Sequence, residues 1–92
     1  MSEEIIPEAK RLIENSDVEA LQAFYMEMLE TYEDIDFPYL FRHLYVHACL
    51  KKKHDMVKWF KEMYETMDPI MKIALRQIFA YGDYLLRRPH AV

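Results

Sequence analysis

Residues 68–88 read D-P-I-M-K-I-A-L-R-Q-I-F-A-Y-G-D-Y-L-L-R-R, and the way this stretch meets water decides what the rest of the chain must build. Asp68 followed by Pro69 is a helix start: the carboxylate caps, and proline takes the first helical position, where its missing N–H has no partner to lose. From there to about Arg88 the helix is poorly amphipathic, because Ile70, Met71, Ile73, Ala74, Leu75, Ile78, Phe79, Tyr81, Tyr84, Leu85 and Leu86 leave little polar face. A helix that is apolar nearly all round needs cover on more than one side. Four other short helices can hardly enclose it, so it sits centrally or a second copy of the chain covers it.

Upstream, a tight turn near His54-Asp55 precedes a fourth helix whose apolar stripe is Met56, Val57, Phe60, Met63 and Met67. The third helix runs from about Pro38 to Lys52, with Asp36 or Phe37 at its start. Its stripe is Leu40, Phe41, Leu44, Tyr45, Ala48 and Cys49, and Lys51-Lys52-Lys53 suits its negative C-terminal end. The second helix spans Asp17 to about Tyr32, with Val18, Leu21, Phe24, Tyr25, Met28, Leu29 and Tyr32 on one face and Glu19, Glu27 and Glu30 opposite. The acidic run 33–36 opposes its C-terminal dipole and ends it. Ser16-Asp17-Val18-Glu19 reads as a capping box with Ser16 as the cap and Glu19 reaching back. A first helix covers about Glu3 to Glu14, with Ile5, Ile6, Ala9, Leu12 and Ile13 aligned and Pro7 tolerated in its first turns. Nothing alternates as a strand would. The expectation is an all-α fold, a five-helix bundle or a short stack of helical hairpins, in one domain spanning 1–92.

Composition narrows the function classes. Five Phe, seven Tyr and one Trp in 92 residues supply the bulk a short chain needs for a core, and the same residue types recur at the centres of interfaces. The one cysteine, Cys49, excludes an internal disulfide framework and requires no oxidising compartment. No run approaches the ~18 apolar residues of a membrane span. The acidic start Met1-Ser2-Glu3-Glu4 is unlike a secretory or mitochondrial signal. These features predict a protein of the cytosol or nucleus, or one carried in a virion, that is not secreted. Gly82, the one glycine, cannot by itself build a phosphate-cradling loop, which removes P-loop and dinucleotide folds.

Residues 48–60 read A-C-L-K-K-K-H-D-M-V-K-W-F. In Ala48, Cys49, Asp55, Val57 and Lys58 this resembles the second half of an ankyrin-type repeat, with Lys52 where that family carries its turn glycine. Glycine-poor helix pairs of this kind are also similar to those of proteins from large DNA viruses. The resemblance implies paired antiparallel helices joined by a tight turn.

Candidate chemistry is sparse. His43 and His47 are one helical turn apart, a metal-ligand spacing, but Leu44 stands where a zinc hydrolase motif needs Glu, and residues 37–54 contain no carboxylate. Cys49 and His47, two apart, point about 200° from one another and cannot pair. Ser16 is assigned to capping, and the acids of 27–36 lie on an exposed face with nothing to separate their pKa values. The sequence therefore predicts no catalytic residues, no metal and no cofactor.

Charge is divided sharply. Residues 1–36 carry eleven acids against Lys10 and Arg11, a net −9, whereas 37–92 carry ten bases against five acids, a net +5, for −4 overall. Halves of opposite sign attract within one molecule or head-to-tail between molecules. Two functional expectations follow. The first is a non-catalytic interaction or structural protein that forms a homo-oligomer, most simply a dimer, through Tyr81, Gly82, Tyr84, Leu85 and Leu86. Gly82 then lets another backbone approach, unless it merely ends the helix. The alternative is a nucleic-acid-associated protein whose Arg42, Lys51, Lys52, Lys53, Lys58 and Lys61 form a phosphate-binding patch, against which stand Glu62, Glu65 and a pI of about 5.5.

Overall fold

Two turns of left-handed backbone organise the chain. In the computed structural model, which describes residues 2–31 and 35–88, Ser16 (φ 58°) and Lys52 (φ 55°) are the non-glycine residues at positive φ. Each closes a helix in the same way. The Ser16 N–H donates to the Ile13 carbonyl (3.0 Å) and the Asp17 N–H to Leu12 (3.2 Å); the Lys52 N–H donates to Cys49 (3.1 Å) and the Lys53 N–H to Ala48 (2.9 Å). This crossed pair of bonds satisfies carbonyls that the helix end would otherwise leave open. The chain reverses within three residues each time, so α1 (Ser2–Glu14) folds back on α2 (Val18–Thr31), and α3 (Phe37–Leu50) on α4 (His54–Glu65).

The two hairpins stack. Helix α1 packs on α3, and Tyr25 of α2 meets Trp59 and Phe60 of α4, with ring centroids 5.5 and 6.4 Å apart. Helix α5 (Pro69–Arg87) lies against the other side of α3, so that α1, α3 and α5 form one layer behind which α2 and α4 form a second. Among the described residues the fold is all-α and without strands, as expected. Its radius of gyration, 12.8 Å, is close to the ~12 Å of a single compact domain of this length.

Helix starts follow local chemistry. Asp36 accepts from the Tyr39 N–H (3.1 Å) with Pro38 in the first turn, and Asp68 accepts from the Met71 N–H (2.8 Å) ahead of Pro69. The expected capping box is corrected by one residue. Asp17 is the cap of α2, accepting from the Ala20 N–H (3.1 Å). Ser16, taken up by the left-handed turn, instead receives the Lys53 ammonium on its Oγ (2.8 Å). The turn placed at His54-Asp55 is Lys51–Lys53, and α4 begins at His54. The C-terminus expected for α2 at Tyr32, and part of the acidic run after it, lie outside the described residues.

The core is aromatic and centred on α3. Phe41, Tyr45 and Phe60 are fully buried and mutually in contact, with Phe41–Phe60 centroids at 5.3 Å and Tyr45–Phe60 at 6.1 Å. Phe79 of α5 packs tilted on Tyr45 (4.8 Å) and edge-on to Tyr64 of α4 (4.4 Å). Such pairs contribute about 0.5–1.5 kcal/mol beyond area burial.

Candidate interaction surface

Gly82 lies inside α5, which continues to Arg87, and it is buried against α3. A Cβ there would stand 2.5 Å from Tyr45 Cε2 and 3.0 Å from Cys49 Sγ. The close approach that a helical glycine suggested is real, but its partner is the chain's own α3. Leu85 is also part of the core, and Leu86 is half-buried. Of the five residues expected at a shared interface, Gly82 and Leu85 are thus corrected to core positions, and Tyr81 and Tyr84 remain half in water.

Those two tyrosines belong to a longer stripe. Ile70 is 82% exposed, Ile73 68%, Tyr81 50% and Tyr84 54%, with Ala74, Gln77 and Ala80 exposed between them. The positions 70, 73, 77, 80 and 84 advance by three and four, a coiled-coil seam. Over 19 residues the helix is about 28 Å long, and Gln77 lies at the middle of the seam. Among the described residues the helix is neither central nor enclosed: one face packs on α3 and α4, and the outer face is exposed. At the other edge of the layer, α1 exposes Pro7 and Arg11, and ties Glu8 to Arg11. One edge of the stack is apolar and the other is charged.

A groove runs along the front of the same layer. Val46 and Leu50 of α3 and Ile78 and Tyr81 of α5 line a depression of about 300 Å³, with Lys10, Arg42, His43 and His47 around it. His43 leans on the Tyr39 ring at 4.4 Å. His47 meets Glu14 of α1 across 3.2 Å, a carboxylate that the sequence reading of residues 37–54 could not supply. Burial, with Lys10 nearby, holds the His47 imidazole below its usual pKa against the opposing pull of Glu14. Among the described residues no group of three His, Cys, Asp or Glu is placed to hold a metal ion. Cys49 packs beneath Gly82 on the opposite side of α3 from His47, and burial pushes its thiol up. Burial likewise raises the phenols of Tyr25 and Tyr45, whose hydroxyls find no hydrogen-bond partner among the described residues.

Of the six cations expected to form a phosphate patch, four are engaged by other groups of the chain. The Lys52 ammonium donates to the carbonyls of Leu85 (2.8 Å) and Leu86 (2.9 Å), closing the last turn of α5, so Lys52 is corrected from a patch residue to a helix cap. Lys53 is bound to Ser16, Lys51 lies 3.7 Å from Glu14, and Lys61 lies 3.6 Å from Asp83. Arg42 is on the front groove, and Lys58 is on the exposed side of α4 with Glu62 and Glu65. Charge-assisted bonds to open carbonyls at a helix C-terminus are worth about 1.5–3 kcal/mol. Lys52→Met is therefore expected to lower unfolding free energy by about 1–2 kcal/mol. Hydrogen exchange should speed up first at the C-terminal turn of α5, and unchanged exchange there would contradict the capping role.

Fold and surface together define a small all-α protein of stacked helical hairpins with one apolar and one charged edge. No helix among the described residues is long and apolar enough to cross a membrane. Comparison with known proteins finds no family model, no characterised relative and no solved structure that matches the chain.

Proposed function

We propose that the chain is a non-catalytic interaction protein that pairs with a second copy of itself through the outer face of α5. The observation that carries this reading is the exposed seam Ile70–Ile73–Gln77–Ala80–Tyr84. In a layered stack the outer face of α5 is equivalent to the faces by which α1 meets α3 and α3 meets α5. Apolar residues there are what a further helix would cover. The charged α1 edge is a poor mate for it, which favours seam on seam about a two-fold axis over an open head-to-tail array at this edge. Gln77, central in the seam, faces its own counterpart in an antiparallel pair and favours that register, as a single polar residue does in coiled coils.

Four large side chains, each with on the order of 100 Å² open, plus the smaller seam residues bury roughly 1,000 Å² in a two-fold pair. That is the lower bound for specific interfaces, and a micromolar dimer is expected. The left-handed backbone at Lys52, where the ankyrin-type pattern carries glycine, supports reading the chain as a short hairpin array of that general kind. Sedimentation equilibrium tests the pairing. At about 0.5 M salt, where ionic contacts are screened, mass should rise from monomer to dimer across the micromolar range, and Ile73→Glu should hold it at monomer. A wild-type monomer at tens of micromolar would end the proposal.

A further inference from the structure

The front groove calls for a partner of different chemistry from the seam. Its floor is Val46, Leu50, Ile78 and Tyr81, its rim carries Lys10 and Arg42, and among the described residues no carboxylate lines it, Glu14 beside His47 being engaged by His47 and Lys51. Among the described residues neither cation has an ion-pair partner. The groove therefore suits an apolar ridge flanked by acids.

This chain carries such a ridge. On the outer face of α2, Met26 is 55% exposed and Leu29 39% exposed, one helical turn apart, beside exposed Glu27 and Glu30. Helix α2 holds no basic residue, and its glutamates form no ion pair among the described residues. Among the described residues the two surfaces lie on different sides of the molecule. Groove residue Val46 lies on the side of α3 away from Phe41 and Ala48, which face the α2–α4 layer.

We infer that the Met26–Leu29 ridge of α2, with Glu27 and Glu30, docks into the α3–α5 groove of a second copy, its carboxylates against Lys10 and Arg42. The contact joins opposite faces, so it is heterologous and adds copies end on end instead of closing as a pair. It is distinct from the α5 seam and needs only Tyr81 in common with it. Its ionic part is screened as the Debye length falls from about 10 Å at 0.1 M salt to a few ångströms near 1 M.

The test uses the full chain carrying Ile73→Glu, which removes seam pairing and leaves groove and ridge intact. Sedimentation velocity at low salt should show species that grow with concentration and shrink at about 0.5 M salt. Arg42→Glu on one sample, and Glu27→Lys with Glu30→Lys on another, should each weaken association at least about tenfold. Mixing the two should restore association, because each lends the surface the other lacks and the reversed charges also complement one another. All three substituted positions are exposed, and circular dichroism verifies the fold; if a charge variant misfolds, Met26→Asp and Leu50→Asp interrogate the same ridge and groove. Monomers at low salt, charge variants that assemble as before, or a mixture that stays monomeric would each overturn the inference. The last result would assign the groove to a different acidic partner.

Discussion

Phe60→Ala is expected to remove about a fifth or more of the protein's stability and to lower its unfolding midpoint sharply. Phe60 is fully buried, and four rings surround it: Trp59 at 5.0 Å, Phe41 at 5.3 Å, Tyr45 at 6.1 Å and Tyr25 at 6.4 Å. Those rings come from α2, α3 and α4, so one side chain joins both hairpins. Truncating a buried phenylalanine costs about 3–5 kcal/mol through lost transfer energy and the cavity left behind. The total available to a chain of this length is roughly 5–14 kcal/mol. Urea unfolding followed by tryptophan fluorescence and circular dichroism should show a large fall in midpoint. Phe37→Ala, at a half-buried ring touching Tyr25 and Phe41, should cost clearly less. Equal losses for the two would mean that the hairpins are not joined through Phe60.

Gly82→Ala is expected to destabilise, against the trend for helices. Replacing an interior helical glycine with alanine ordinarily gains about 1 kcal/mol. Here the added methyl group would lie 2.5 Å from the Tyr45 ring and 3.0 Å from Cys49 Sγ. The ring cannot yield cheaply, because it is fully buried and held by Phe41 (6.0 Å, stacked), Phe60 and Phe79. Overpacking of this kind costs about 1–3 kcal/mol, so α5 must move off α3 or Tyr45 must leave its rotamer. Less the propensity gain, the net loss is up to about 2 kcal/mol, a drop of up to roughly 15 °C in Tm for a domain of this size. Ala80→Gly, on the exposed face of the same helix, isolates the propensity term. A Tm raised by Gly82→Ala would show that α5 does not sit so close to α3.

Both results would bear on the seam, because the closeness of α5 to α3 decides which face of α5 is left outside. If Gly82 were absent, the helix would stand off and its buried stripe, now Leu75, Gly82 and Leu85, would be less complete. The lone glycine serves the fold, and the interface proposed here begins on the opposite side of the helix.

The sequence by itself determined the five helices, their order, the Asp-Pro start of α5 and the core stripe of α3. These follow from interactions within a turn or two: spacing of apolar residues, a carboxylate over open N–H groups, proline where no hydrogen bond is lost. It also raised the expectation that α5 carries more apolar surface than its neighbours cover. Tertiary structure alone decided where each polar or small residue spends itself. Lys52 closes α5 from 33 residues away, Glu14 reaches His47 from another helix, and Gly82 accommodates Tyr45. Ser16 and Asp17 exchanged roles because the left-handed turn that lets α2 fold back on α1 claims the residue that would otherwise cap. Periodicity records only that a side chain is apolar or polar on a face. Which partner it meets depends on how distant faces are brought together, and no local spacing carries that information.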